Sequence, residues 1–333
     1  MIYVYLLLGI IFFSVLLIRA TNILMSGLDE ITERTKIDAF GITAFFLALA
    51  TSLPELFVAV TAAMRGNPEI SIGNVLGSNI ANLSLVLGGA ALIAGSVKAT
   101  DKFINGEVFH TFLAGSLPLI LLLDGSLTRF DGLLLLVVYV LYNMTVLQER
   151  RHEIVKKEKR EAVWWKRWWS HISDRDVERS MGKIVIGIAL LILSADMLVR
   201  LAEQVAVKSG VPMILVGLVL VALGTSLPEL SFEIVALRKK EANMALGNIL
   251  GSVVANSTLV LGVTVLIHPL ILHDGLKSYL LATLAFIFVF VFFWLFVRTK
   301  QRLDRWEGLV LVIIYWLFVI FEFVKIQNGH LLV

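Results

Sequence analysis

The sequence predicts an all-α membrane protein with ten transmembrane helices, arranged as two inverted-topology five-helix repeats with broken helices at the midplane. Three observations predict this fold class: the composition, a series of long apolar segments, and an internal duplication. Of the 333 residues, 58% are hydrophobic and 17% are charged, and the mean hydropathy is +0.87. Soluble domains are about one quarter charged and about half apolar. The composition therefore excludes a soluble globular protein.

Ten apolar segments are long enough to cross a membrane. A hydrocarbon core of about 30 Å requires about 20 apolar residues in a helix. Such segments recur along the whole chain and are separated, with one exception, by short loops. The predicted spans are Met1 to Ile23, Ile37 to Met64, Ile70 to Ile93, Phe103 to Leu123, Phe130 to Leu147, Ile184 to Ala206, Met213 to Leu237, Met244 to Ile267, Tyr279 to Val297 and Leu309 to Val324.

The exception is a long basic connection, residues 148–182, which divides the chain. It predicts a first five-helix repeat at 1–147, a cytoplasmic basic, Trp-rich loop at 148–182, and a second five-helix repeat at 183–333. The loop contains the run WWKRWW from Trp164 to Trp169. Indole rings beside cations favour the headgroup layer, so an interfacial amphipathic segment is predicted. The alternative is a regulatory site that binds a partner or ligand.

The distribution of basic residues predicts the orientation. With the long loop in the cytoplasm, about 22 of the 29 Lys and Arg residues lie on its side and about five on the other. Basic residues are retained on the cytoplasmic side, so both termini are predicted to lie outside the cell (plasma) membrane. The N-terminal segment lacks a basic region, so it is predicted as the first span and not as a cleaved signal. The chain has no cysteine, which leaves the redox compartment undetermined.

A nine-residue stretch of small and polar residues occurs twice inside apolar segments. The stretch beginning at Ala48 reads ALATSLPEL, and the one beginning at Ala222 reads ALGTSLPEL. A shift of 174 positions aligns the halves without a gap from residue 22 to residue 88, with about half of positions 48–88 identical. Because five spans precede the second half, that half enters the membrane from the opposite face. Inverted repeats of this kind are typical of secondary transporters.

A second motif lies in the following span of each half. Residues 73–82 read GNVLGSNIAN, and residues 247–256 read GNILGSVVAN. Each half therefore predicts a helical hairpin, at about 41–94 and about 215–268, whose two arms are both polar at mid-depth.

Proline opens the helix ahead of each glutamate. Pro54 has no amide hydrogen, so the carbonyl of Ala50 loses its helical partner, and Pro228 has the same effect on Gly224. Free carbonyls at bilayer depth are tolerated only where they line a cavity or bind a ligand. With the polar side chains nearby they predict an all-oxygen ligand set for a hard cation. These side chains are Thr51, Ser52, Glu55, Ser78, Asn82, Thr225, Ser226, Glu229, Ser252 and Asn256.

The charge of the predicted site allows calcium and sodium to compete for it. Two ionised glutamates offset one divalent ion or two monovalent ions. Calcium accepts about six to eight oxygens in flexible geometry, whereas magnesium requires a tighter octahedron. The absence of Cys from the chain and of His from both motifs disfavours zinc and copper. The alternative, a structural polar network between kinked helices, is disfavoured by the duplication of the whole set.

These motifs resemble the two α-repeats of the calcium/cation antiporters, a family that includes the sodium/calcium exchangers. The resemblance covers both halves, and the prokaryotic branch fits best, because the loop at 148–182 is too short for the regulatory domains of animal exchangers. It implies a compact core from spans 2 to 5 and 7 to 10, against which the first and sixth spans slide. It also implies calcium and sodium as the transported ions, without a cofactor.

The resemblance implies roles for individual residues as well. Glu55 and Glu229 are the implied central ligands, shared between ions, and Thr51 and Thr225 join them at a calcium site. The groups implied for the flanking sodium sites are the side chains of Ser52, Ser78, Asn82, Ser226 and Ser252 and the backbone carbonyls of Ala48 and Ala222.

Two positions depart from the expected pattern. Asn256 stands where some relatives, notably potassium-dependent members, have an aspartate, so potassium cotransport is disfavoured. Glu233 lies one helical turn beyond Glu229 and faces the same way. The equivalent residue in the first half is Ala59. It is interpreted either as a cytoplasmic-side relay for cations or, the favoured interpretation, as a partner for Arg238 or Lys239.

The sequence therefore predicts a secondary active antiporter, not an enzyme, that exchanges calcium for sodium by alternating access. The alternatives are a calcium/proton antiporter, a cation-selective channel and an intramembrane hydrolase. The hydrolase is disfavoured because symmetric duplication of every polar residue does not suit asymmetric acid/base chemistry. The predicted partners are calcium and sodium ions and the lipid bilayer, with no nucleic acid, and the oligomeric state is left open.

Overall fold

A computed structural model describes residues 2–35, 52–98, 106–154, 175–238, 242–272 and 279–330. Within these ranges almost all regular structure is helical, and the strands are four segments of two residues each. Seven helices in the described ranges are long and apolar enough to cross a membrane, and the chain is a multi-pass helical membrane protein. They are Ile2–Gly27, Pro68–Ile93, Glu107–Asp124, Arg179–Ser209, Met244–Ile267, Leu280–Thr299 and Arg305–Lys325.

These seven helices coincide with seven of the ten predicted spans. Two shorter apolar helices, Leu53–Met64 and Met213–Thr225, belong to the predicted second and seventh spans. The predicted fifth span lies within the helix Arg129–Ile154. The Trp-rich run at 164–169 and the start of the second span at 37–51 lie outside the described residues.

The helices of the two predicted hairpins are interrupted by π-helical turns, named π1 to π3. In chain order the elements are α1 (Ile2–Thr35), α2 (Leu53–Met64), α3 (Pro68–Ala81), π1 (Asn82–Val86), α4 (Leu87–Ala94), β1 (Val97–Lys98), α5 (Glu107–Leu121), β2 (Ser126–Leu127), α6 (Arg129–Ile154), α7 (Arg175–Ser209), α8 (Met213–Val216), π2 (Gly217–Val221), α9 (Ala222–Thr225), α10 (Leu227–Arg238), α11 (Ala242–Val254), π3 (Ala255–Val260), α12 (Leu261–Ile267), β3 (Leu270–Ile271), α13 (Leu280–Lys300), β4 (Arg302–Leu303) and α14 (Arg305–His330).

The two longest helices, α1 and α7, pack along each other. Leu17 of α1 and Leu191 of α7 are both fully buried in one hydrophobic cluster. Near the end of α1, Glu30 forms an ion pair with Lys183 of α7 and accepts a hydrogen bond from Ser180 at 2.7 Å. The hydrogen bond from Lys183, followed by that from Ser180, lowers the pKa of Glu30 to about 2. This end of the helix pair is therefore held by a carboxylate that stays ionised.

A second charged cluster joins α7 to the end of α2. Arg65 donates to both carboxylate oxygens of Glu203, at 2.8 and 2.9 Å, and to Asp196 at 3.3 Å. Arg200 also donates to Asp196, at 2.7 Å, and Asn67 donates to Glu203 at 2.9 Å. A bidentate arginine–carboxylate pair fixes orientation as well as distance. The cluster therefore sets the position of α2 against α7.

Small residues bring α3 into backbone contact with the segment that contains π2. A methyl group on Gly73 would lie 2.1 Å from the carbonyl oxygen of Ile214, and one on Gly77 would lie 2.0 Å from that of Leu218. Glycine at a helix interface allows this close approach, which is a main source of helix association inside membranes. The repeated glycine motif therefore has a packing role in the first half.

Two further glycine contacts connect the halves crosswise. Gly88 of α4 packs on Gly308 of α14, where added methyl groups would lie 2.6 and 2.8 Å from the opposing carbonyl oxygens. Gly262 of α12 packs in the same manner on Gly132 of α6, at 3.0 Å in both directions. The short strands pair crosswise too, because β1 pairs with β4 and β2 pairs with β3, both antiparallel. The last helix of each half thus packs on the hairpin of the other half.

The π-helical turns are a feature that the sequence analysis did not predict. π1 begins at Asn82, and π3 begins at Ala255, one residue before the repeat equivalent of Asn82. π2 lies in the segment that leads to the second Pro-Glu pair. Single π turns within α-helices occur frequently at functional sites. In this chain they widen the helices where both repeated motifs lie.

Candidate cation-binding site

Each glutamate of the repeated Pro-Glu motif lies in the first turn of a helix that begins after a break. Ser52, before α2, has φ −87° and ψ 3°, and Ser226, before α10, has φ −88° and ψ 1°. Proline is the second residue of both helices, where its missing amide hydrogen is tolerated. The break is therefore the same in both halves, and it places Glu55 and Glu229 at the positive ends of two short helices.

Both carboxylates are fully buried, and neither has a hydrogen-bond partner for either oxygen among the described residues. Glu55 and Glu229 are near enough for their charges to interact. Burying an ionised carboxylate without a partner costs several kcal/mol. The pair therefore requires positive charge from a bound ligand in order to remain ionised.

Hydroxyl groups from both halves lie beside Glu55. The hydroxyl oxygens of Ser78 and Thr225 are 3.2 Å apart. Both hydroxyls lie close to the Glu55 carboxylate, although neither forms a hydrogen bond of normal geometry with it. Thr225 also lies 3.2 Å from Oδ1 of Asn74 and 3.3 Å from the carbonyl oxygen of Ala222. Since Ser78 and Asn74 come from the first half and Thr225 from the second, the two halves share one polar centre.

Several other predicted ligands are buried without a hydrogen-bond partner. They are the hydroxyls of Ser52 and Ser226, both amide atoms of Asn82, and Oδ1 of Asn256. An unsatisfied buried polar group costs about 1–3 kcal/mol, and native structures retain few of them. In the described part of the chain just over half of these atoms lie on the two repeated motifs, and most of those are oxygens. This donor set suits a hard cation.

Of the four remaining predicted ligands, two lie among the described residues and two do not. Ser252 of α11 is fully buried, as is Ala222 at the start of α9. Thr51 and Ala48 lie outside the described residues. The role of each residue as a ligand remains a prediction.

An amide bridge between the halves was not predicted. Asn79 donates to the hydroxyl oxygen of Ser257 at 2.7 Å, and its Oδ1 accepts a hydrogen bond from Asn256 at 3.3 Å. The repeat equivalents of Asn79 and Ser257 are Val253 and Leu83. The bridge therefore has no counterpart. The sequence signal that could have indicated it is a polar residue within a repeated motif whose equivalent is apolar.

Glu233 does not pair with Arg238, one of the two partners that the favoured interpretation of the sequence allowed. Glu233 is fully buried on α10, and its Oε1 accepts a hydrogen bond from Asn248 at 3.0 Å. The side chain of Arg238 is exposed, and Lys239 lies outside the described residues. Glu233 faces the neighbouring helix α11, whereas Arg238 faces away from the protein interior.

Within the described ranges, no group of three His, Asp or Glu side chains is close enough to share a metal ion. The candidate ligand set therefore combines at most two carboxylates with hydroxyl, amide and carbonyl oxygens. Such sets bind sodium and calcium, whereas zinc and copper prefer nitrogen and sulfur ligands.

Known proteins are similar to this chain in sequence and in fold. The profile of the family described as "Sodium/calcium exchanger protein" matches residues 5–148 and 179–324. CaxA of Alkalimonas amylolytica is 32% identical over 316 residues, which cover 90% of this chain and 93% of CaxA. The sodium/calcium exchanger MaX1 of Methanosarcina acetivorans is 27% identical over 347 residues, which cover 96% of this chain and 97% of MaX1. A solved structure of the sodium-calcium exchanger NCX_Mj has a TM-score of 0.62 at 24% identity, over 94% of this chain and 98% of that chain, which shows a shared fold.

Proposed function

Because the chain belongs to the sodium/calcium exchanger protein family, we propose that it exchanges calcium for sodium across the membrane by alternating access. Its relatives are exchangers and not enzymes, and the family transports sodium and calcium ions without a cofactor. The observation that carries the proposal is the pair of fully buried, unpartnered glutamates, Glu55 and Glu229, supplied by different halves beside neutral oxygens.

The proposed ligands follow the two repeated motifs. Glu55 and Glu229 bind each transported ion, and Thr51 and Thr225 join them when the ion is calcium. The proposed sodium ligands are Ser52, Ser78, Asn82, Ser226, Ser252 and Asn256, with the backbone carbonyls of Ala48 and Ala222. The burial and the missing hydrogen bonds of Ser52, Ser226 and Asn82 support this assignment.

The charge of the two glutamates explains why calcium and sodium are bound alternately. A cavity that holds two ionised glutamates resists closure, because a net charge is costly to remove from water inside a membrane. One calcium ion or two sodium ions at Glu55 and Glu229 neutralise the pair. The protein therefore changes its open face when it is loaded and does so rarely when it is empty. That rule couples the inward movement of sodium to the outward movement of calcium.

The fold proposed for this cycle has ten transmembrane helices in two five-helix repeats of inverted topology, 1–147 and 183–333. The crosswise contacts support it, because the Gly88–Gly308 contact recurs with the halves exchanged at Gly132 and Gly262. Spans 2 to 5 and 7 to 10 form the fixed core, and α1 and α7 slide along it. The charged clusters at Glu30 and Arg65 bear on this movement, because each of them involves α7.

The proposed orientation places both termini outside the plasma membrane and the loop 148–182 in the cytoplasm. The excess of basic residues on the loop side supports it. Since the chain has no cysteine, single cysteines introduced at Tyr3 and at Trp165 can be labelled separately in intact cells. A membrane-impermeant maleimide is expected to label the first and not the second, and the reverse pattern would contradict the orientation.

Calcium flux into proteoliposomes tests the proposal, with sodium, potassium and proton gradients imposed one at a time. A sodium gradient is expected to drive saturable calcium uptake, and a potassium gradient is not, because Asn256 is neutral. Uptake driven equally well by a proton gradient without sodium would establish the calcium/proton alternative. Flux far above about a thousand ions per second, beyond ordinary turnover rates, or single-channel currents would establish a channel.

A further inference from the structure

A third carboxylate lies next to the proposed site, and it occurs in one half only. Glu233 follows Glu229 by one turn on α10, and both side chains are fully buried. The repeat equivalent of Glu233 in the first half is Ala59, which is also fully buried. The duplication of the motifs therefore does not account for Glu233, and the exchange cycle described above does not use it.

Glu233 has no neutralising cation within the described ranges. Its Oε1 accepts a hydrogen bond from the amide of Asn248 at 3.0 Å, and its Oε2 is buried without a hydrogen-bond partner. The side chain of Arg238, one turn further along, is exposed. A buried carboxylate without a counter-charge costs several kcal/mol. The protein therefore has an energetically unfavourable buried carboxylate at a position where the first half has alanine.

The partner of Glu233 also differs between the halves. Asn248 donates to Glu233, whereas its repeat equivalent, Asn74, lies 3.2 Å from the hydroxyl of Thr225 in the central site. The oxygen and nitrogen of a side-chain amide exchange places when the amide rotates by about 180°. Asn248 therefore brings an oxygen as well as its NH₂ group close to Glu233.

The position of Glu233 is distinct from the central site. The charge of Glu233 acts on Glu229, as does that of Glu55. Nevertheless, no three acidic or histidine side chains in the described part of the chain are close enough to share one ion. Glu233 thus marks a separate position, one turn along α10 and, in the proposed orientation, on the cytoplasmic side of Glu229.

We propose that Glu233 and Asn248 form an additional sodium site on the cytoplasmic side of the central pair. The proposal rests on the proposed function, because it assigns this site to the path that transported ions follow. One carboxylate balances one monovalent cation, and a sodium ion at Glu233 removes the repulsion between Glu233 and Glu229. The extracellular path has Ala59 at the equivalent position and lacks the site. The exchanger is therefore expected to bind sodium more tightly from the cytoplasm than from outside.

Sodium-dependent thermal stabilisation of the detergent-purified protein tests the site directly, with choline replacing sodium at constant ionic strength. The variant Glu233→Gln keeps an acceptor for Asn248 and removes the charge. It is expected to raise the sodium concentration for half-maximal stabilisation about tenfold, as for a lost charged contact. An unchanged sodium dependence would overturn the proposal. Glu322→Gln is the matched control, because Glu322 is buried on α14 outside both motifs, and a change below about twofold is expected.

Sidedness gives a second test that a purely structural role would not pass. In oriented vesicles, Glu233→Gln is expected to raise the half-saturating sodium concentration on the cytoplasmic face about tenfold, as before, and to leave the extracellular value unchanged. Equal shifts on both faces would contradict a cytoplasmic site. A shift in pH dependence at unchanged sodium dependence would show that Glu233 carries a proton instead. Glu233→Ala, which copies the first half, repeats the test if the glutamine variant fails to fold.

The outcomes separate this proposal from the proposed function. If the wild-type protein shows no sodium-driven calcium exchange, the proposed function fails whatever the Glu233 variants do. If exchange is present and Glu233→Gln binds sodium as the wild type does, only the additional site fails.

Discussion

The two copies of the glycine motif carry the same residues in different surroundings. Gly73 is pressed against the backbone of Ile214, where a methyl group would lie 2.1 Å from the carbonyl oxygen. Among the residues that the structure describes, its repeat equivalent, Gly247, has nothing within 4 Å of the same position. A transporter that opens to one face at a time holds its two inverted halves in unlike conformations. Equivalent residues must therefore differ in their contacts in any one structure.

The amides of the same motif differ as well. Asn74 lies next to Thr225 at the shared polar centre, whereas Asn248 is bonded to Glu233. This difference depends on a substitution, Ala59 in one half and Glu233 in the other, and the substitution is present in every conformation. Comparing the halves thus identifies a contact that the duplication does not explain.

The largest effect is expected at the residues that the halves have in common. Glu55→Gln and Glu229→Gln each remove a charge from the central pair, and each is expected to lower sodium-driven calcium uptake about 100-fold or more, since breaking a buried charge contact costs about 3–5 kcal/mol. Uptake is measured in proteoliposomes, with Glu69→Gln, in the first turn of α3, as the control. Wild-type rates in either variant would remove the proposed site.

The glycine difference predicts unequal effects of one substitution. Gly73→Ala forces a methyl group into a backbone carbonyl and is expected to destabilise the protein by about 1–3 kcal/mol, as overpacking does. Gly247→Ala meets no atom of the described residues within 4 Å and is expected to be neutral or to stabilise by up to about 1 kcal/mol, because alanine favours helix. Thermal unfolding in detergent measures both. Equal destabilisation by the two substitutions would contradict the asymmetric packing.

A smaller effect is expected from the hydroxyl that connects the halves. Thr225→Val removes the contacts with Ser78 and Asn74 and keeps the side-chain shape, so the calcium concentration for half-maximal uptake is expected to rise about tenfold. Thr264→Val is the matched control, because the Thr264 hydroxyl donates only to the carbonyl of Val260 in its own helix, at 2.8 Å. If both variants behave alike, Thr225 does not contact the transported ion.

The smallest effect concerns the helix pair α1 and α7 and depends on pH. The pKa of Glu30 is lowered from 4.5 to about 2 by Lys183 and Ser180. A lowered pKa means that Glu30 stabilises the folded state fully above its unfolded pKa and loses that effect as the pH falls toward 2. The difference in melting temperature between wild type and Glu30→Gln is therefore expected to be constant above about pH 5 and to vanish at lower pH. A difference that changes near neutral pH would assign the titration to another group.

Much of the candidate site could be predicted from the sequence, because its polar residues are energetically unfavourable in a membrane and lie close together in the chain. A carboxylate, a proline and several hydroxyls inside an apolar segment are unfavourable unless they bind something, and the reading needs only the neighbouring residues. The duplication at Glu55 and Glu229 then disfavoured the structural alternative. The breaks at Ser52 and Ser226 follow from the prolines, since each lies two residues before one.

Other parts of the site could not be predicted, because they depend on which helix faces which. The bridge from Asn79 to Ser257 and Asn256 joins residues about 178 positions apart in different halves. The partner of Glu233 was expected at the end of its own helix, yet the buried face of α10 turns the carboxylate toward Asn248 on α11. Periodicity within one helix cannot choose between these faces.

The sequence by itself determined that this protein is a helical membrane exchanger with a duplicated, oxygen-rich motif. Long apolar segments, and polar residues inside them, can be recognised from short stretches of sequence. Only the tertiary structure decided that Thr225 of one half meets Ser78 and Asn74 of the other, and that Gly73 packs against the backbone of Ile214. Identical segments acquire different contacts when the chain places them against different neighbours, and that placement is a property of the whole fold.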